Sequence, residues 1–94
     1  MDSAAKQFIS GIMGLREPNG ITGLQCRMAR AGLRWSLSEA AAQANIGAAS
    51  VGRIEAEAVQ STPSTIAALR RAFEAAGVEF VEDYGVFIRK PEKP

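Results

Sequence analysis

Few side chains in this chain could do covalent or metal chemistry. It has no histidine, and Cys26 is its single cysteine. A nucleophile needs a base within hydrogen-bond reach, and a transition-metal site needs a cluster of Cys, His or carboxylate ligands. Neither can be assembled from these residues. No glycine-rich phosphate loop follows a strand-like run. The carboxylates are scattered over helix-like stretches, as solvated charges usually are, and Cys26 reads as a small buried hydrophobe. The chain is therefore not expected to be an enzyme, and no cofactor or metal is expected.

What remains is recognition, carried by arginines and short side chains around residues 36–55. Ser36 followed three residues later by Glu39 is a capping-box signature, which starts a helix at Leu37. Asn45 tolerates the left-handed conformation that ends it. Ile46 then turns back to the core, and Gly47 opens a second helix from about Ala48 to Ala56. Ala41 is small where the two helices must approach, and Val51 with Ile54 makes an apolar i, i+3 pair on the buried side. This is the pattern of a helix-turn-helix.

The flanking elements follow from similar cues. Residues 3–16 read as a helix with Ala5, Phe8, Ile9, Ile12, Met13 and Leu15 on one face, interrupted by Gly11 and Gly14. Glu17-Pro18-Asn19-Gly20 is a turn. Thr22 and Gln25 form another capping box, opening a helix to about Gly32 with Leu24, Met28, Ala31 and Leu33 inward. Trp35 is expected in the core. Residues 57–61 form a loop, and Thr62 caps a helix with Pro63 at its first position. Ile66, Leu69, Phe73 and Ala76 line that helix, Arg70 and Arg71 lie on its solvated face, and Gly77 stops it. The period then changes: 78–81 and 86–89 read as the strands of a β-hairpin around a glycine-containing turn.

The expected fold is mainly α, a five-helix bundle containing a helix-turn-helix and ending in a β-hairpin. Its divisions are an N-terminal helical extension and turn (1–20), the helix-turn-helix domain (21–77), the hairpin (78–90) and a flexible tail (91–94). Ninety-four residues, 47% hydrophobic and 22% charged, allow one domain with a modest core. No apolar run approaches the ~20 residues that span a bilayer, and Met1-Asp2-Ser3 does not begin a signal peptide. With one cysteine and no disulfide, a cytoplasmic location and no membrane association are expected.

The residues Gln25-Cys26-Arg27, Gly32-Leu33-Arg34-Trp35-Ser36, Glu39-x-Ala41-x-x-Ala44, Ile46, Val51 and Ile54-Glu55 resemble the Cro/repressor-type (XRE) helix-turn-helix family. Thr62-Pro63 and the run Ile66 to Phe80 continue the resemblance, which covers roughly 21–80. It implies four core helices and a role in transcription control, commonly by binding an operator. A second, looser resemblance is to small rhizobial antiactivators of quorum-sensing-controlled conjugative-element transfer. It implies binding and disabling a transcriptional activator.

Reading DNA needs cations for phosphates and long polar side chains for base edges. Family members commonly place Gln at the first residue of the first helix, where this chain has Leu37. The second helix offers Gly47, Ala48, Ala49, Ser50, Gly52 and Arg53, of which only Arg53 is long and basic. Residues 36–66 carry Arg53 against Glu39, Glu55 and Glu57, a balance that repels phosphate. Glu55 is expected to cap or to pair with Arg53 or a neighbouring arginine. The favoured reading is a protein-binding antiactivator, with Leu37, Ala48, Ala49, Gly52, Arg53 and Val59 forming the partner surface. The alternative is a DNA-binding repressor that uses Ser50, Arg53, Arg34, Arg70 and Arg71. The N-terminal helix and the hairpin edge leave monomer and homodimer both open.

Overall fold

The computed structural model describes residues 20–57 and 62–89. They form α1 (Gly23–Leu33), α2 (Leu37–Ala44), α3 (Ala48–Ala56) and α4 (Pro63–Ala75), then β1 (Val78–Val81) and β2 (Gly85–Ile88). Four helices and an antiparallel hairpin are thus present among the described residues. The fifth expected helix, over 3–16, lies outside them, as do residues 58–61 with Val59 and the tail. No described helix is long and apolar enough to cross a membrane.

Three of the helices, α1, α2 and α4, begin where their capping chemistry dictates, whereas α3 starts after Gly47 with no side-chain cap. The Thr22 hydroxyl accepts from the Gln25 N–H at 3.0 Å, while the Gln25 side-chain oxygen accepts from the Thr22 N–H at 3.0 Å. Ser36 and Glu39 repeat this box at α2, and the Thr62 hydroxyl accepts from the Thr65 N–H ahead of α4. Asn45 ends α2 in the left-handed region (φ 60°), as its short polar side chain allows. Gly77, at φ 104°, turns the chain out of α4 into β1. Arg34 and Glu57 also take left-handed cap conformations at the ends of α1 and α3.

The core joins Cys26 and Ala29 of α1, Ala40, Ala41 and Ala44 of α2, Val51 and Ile54 of α3, Leu69 and Phe73 of α4, and Val78 of β1. The buried side of α1 differs from the expectation. Cys26, Ala29 and Gln25 are buried, Leu24, Met28 and Leu33 are half-buried, and Ala31 is exposed. Close approach of α3 is the reason. A side chain at Gly23 would stand 2.5 Å from the Ile54 carbonyl oxygen and 2.6 Å from that of Glu55. Only small residues fit at so short a separation, and the bulkier ones flank it.

Trp35 is half-buried and stacks on Phe73 with ring centroids 5.6 Å apart; Phe80 of β1 meets the same ring edge-on at 6.1 Å. The hairpin pairs Val78 with Ile88, Glu79 with Phe87, Phe80 with Val86 and Val81 with Gly85. Val78, Phe80, Val86 and Ile88 pack against the helices, leaving Val81, Phe87 and the turn residue Tyr84 exposed.

Candidate macromolecular interface

The face of interest is built by α2, the turn after Asn45, and α3. Leu37, the first residue of α2, is 37% exposed. Ala48 and Ala49 are exposed in the first turn of α3, and Arg53 is exposed one turn further on. Spacings of three and four place Ala48, Ala49, Gly52 and Arg53 on neighbouring positions of one helix surface. A side chain at Gly52 would meet nothing within 4 Å, so the surface there is bare. Ser50 is half-buried, and its hydroxyl accepts from Arg53 at 3.4 Å. Val59 lies outside the described residues.

The arginines behind this face are mostly committed elsewhere. Arg30 grips Glu55 with two bonds, Nε to Oε2 at 2.6 Å and Nη2 to Oε1 at 3.1 Å, and its Nη1 donates to the Trp35 carbonyl at 3.1 Å. Donating to this carboxylate raises the already high pKa of the guanidinium. Arg27 donates to the Glu55 carbonyl at 2.6 Å. Glu55 therefore pairs with α1, across the buried side of α3, and not with Arg53. The Cys26 thiol also donates toward Glu55 at 3.6 Å. Burial first, and then the nearby carboxylate, pushes that thiol far above its ordinary range.

Arg70 departs from the solvated-face expectation. It donates to the Gly20 carbonyl at 2.8 Å and to Glu74 at 2.7 Å, and it lies over the Phe80 ring at 5.2 Å. The hairpin, which sequence periodicity does not place against α4, draws it inward. Arg71 stays exposed on α4, and Arg34 is exposed at the end of α1. Of the residues weighed for DNA contact, Ser50 and Arg53 are hydrogen-bonded to each other, Arg70 is held by Gly20 and Glu74, and Arg34 and Arg71 are exposed.

One residue has a second structural role that its sequence context does not signal. Gln25 completes the α1 capping box and also donates through Nε2 to the Glu82 and Gly85 carbonyls, each at 2.9 Å. Beside it, the Thr22 hydroxyl donates to the Asp83 carbonyl at 2.7 Å. The hairpin turn is thereby tied to the start of α1. A polar residue at a cap is the only sequence signal available. No protein-family model matches the chain, and no curated protein does.

Proposed function

We propose that this chain is a small transcription-regulatory protein whose helix-turn-helix face binds and disables a transcriptional activator. The observation that carries the reading is the composition of the exposed α3 surface. Ala48, Ala49 and bare Gly52 offer a shallow floor, Leu37 is exposed at the start of α2, and Arg53 is the one cation of α2 and α3. Such a floor suits close packing of a partner's helix, whereas DNA binding draws its affinity from several phosphate contacts. Arg27, Arg30 and Arg70 each spend at least one N–H group on an internal acceptor, which restricts how they can turn toward phosphates.

The two modes respond oppositely to one substitution. Ala49→Arg places a long cation on the floor: it abolishes regulation if the partner is a protein and strengthens phosphate attachment if the partner is DNA. Transcript profiles of cells carrying the wild-type or variant chain, with circular dichroism to confirm folding, decide between them. Full regulation by Ala49→Arg, and by Leu37→Glu at the start of α2, would sink the proposal.

Operator binding is the second reading. It is favoured by the exposure of Arg34, Arg53 and Arg71, none of which is paired with a carboxylate among the described residues. Under it, Arg53→Ala weakens binding to the operator by ~1–3 kcal/mol if Arg53 reads a guanine. A salt titration against DNA from the chain's own upstream region, with random duplex as control, measures that loss.

A further inference from the structure

We infer that the outer edge of β2 is a self-association surface, on which a second copy of this chain adds its own β2 to make a four-stranded sheet. The inference is independent of what the helix-turn-helix face binds. It starts from the hydrogen-bond alternation of the hairpin. The Arg89 N–H donates to the Gly77 carbonyl at 2.9 Å, so residues 77 and 89 are a hydrogen-bonded pair. Alternation makes 79/87 and 81/85 bonded pairs too, and turns the N–H and C=O groups of Val86 and Ile88 to the outer edge. Those groups have no backbone partner among the described residues.

Exposed edges are ordinarily guarded by charge, proline or a bulge. The two edges here differ in this respect. β1 carries Glu79, bridged to Arg89 at 2.8 Å, and borders a groove of about 340 Å³ walled by Arg70 and Glu74. β2 reads Gly85-Val86-Phe87-Ile88, with no charge and no proline, and its Phe87 ring is 57% exposed. It is the unguarded edge.

Charge placement selects a second copy as the occupant. One end of β2 adjoins the acidic turn residue Glu82, and the other runs into Arg89, which keeps 56% exposure beside its bridge to Glu79. Antiparallel pairing about a two-fold axis at Phe87 brings the acidic end of each copy beside the basic end of the other. In that register Val86 pairs with Ile88 of the second copy through the outward backbone groups. The two Phe87 residues then form a non-hydrogen-bonded pair, the closest side-chain approach in an antiparallel ladder. Gly85 faces Arg89 of the second copy and leaves room for its long side chain. A sheet doubled in this way also relieves the marginal stability of an isolated two-stranded ribbon.

Sedimentation velocity on the full chain, at concentrations up to about 1 mM, tests this directly. The expected result is a concentration-dependent rise from the 10.0 kDa single chain to twice that mass. Phe87→Lys and Phe87→Glu each place like charges together at the axis, so each alone stays a single chain. Mixing the two restores the doubled mass, because opposite charges now meet there. Circular dichroism on each variant confirms that the fold is intact, and Ser38→Lys, exposed on α2, serves as the control that still doubles. A wild-type chain that remains single overturns the inference, whether or not the edge takes up some other peptide. So does doubling that survives Phe87→Lys, or a mixture of the two charged variants that stays single.

Discussion

At the scale of single residues, Glu55 organises the back of α3. Its carboxylate is 9% exposed and is met by Arg30, which is 26% exposed. A carboxylate in this setting stabilises by satisfying its neighbours, since removing one member strands the other. Glu55→Ala should lower stability by about 1–3 kcal/mol, the partial exposure of Arg30 limiting the loss. Urea unfolding followed by circular dichroism measures it. Replacing both partners, Arg30→Met with Glu55→Leu, should recover most of that loss, because no charge is left uncompensated.

Cys26 is the second residue with a measurable consequence. Its thiol is fully buried, and its pKa is raised in the folded state. The neutral form is therefore favoured by folding. Below the ordinary thiol range both states hold the proton and stability is unaffected. As pH rises above that range the unfolded chain releases its proton and the folded chain does not, so stability falls. Denaturation at neutral and alkaline pH should show this decline, and Cys26→Ala should flatten it. Alkylation of native protein at neutral pH should be slow and limited by unfolding.

At the scale of elements, the hairpin is held by the start of α1 as well as by its own ladder. Gln25 and Thr22 reach three carbonyls of the turn, at residues 82, 83 and 85. Gln25→Ala removes half of the capping box and two of those ties together, and should cost about 2–3 kcal/mol. Hydrogen exchange should show the effect unevenly. The amides of β1 and β2 lose protection first, while those of α2 and α3 keep most of theirs. Uniform loss across the chain would mean that the hairpin and helices open as one unit, with Gln25 acting only through global stability.

For the whole molecule, Phe73 is the junction. It is fully buried, stacks on Trp35 after α1 and touches Phe80 of β1. Phe73→Ala should cost about 3–5 kcal/mol through lost transfer energy and a cavity shared by three segments. In a domain this small that is a large share of total stability. Thermal melting should drop accordingly, and Trp35 fluorescence should shift as its stacking partner is lost.

What could be read from residues alone is the local architecture. Ser36 with Glu39, Thr22 with Gln25, Thr62 with Pro63, Asn45 and Gly77 each act within one helical turn, and each sits at the boundary its chemistry implies. The hairpin was legible too, although its second strand runs Gly85–Ile88, one residue earlier than the expected 86–89, with Gly85 paired to Val81. Tertiary structure decided how charges and faces were allotted. Glu55 found Arg30 across 25 residues of chain, Arg70 found Gly20 across 50, and Gln25 found the turn at 82 across 57. No periodicity relates such positions, so the pairing waits until the helices have packed. The same holds for α1, whose buried face was set by how closely α3 could approach at Gly23 and not by where its largest apolar residues lay.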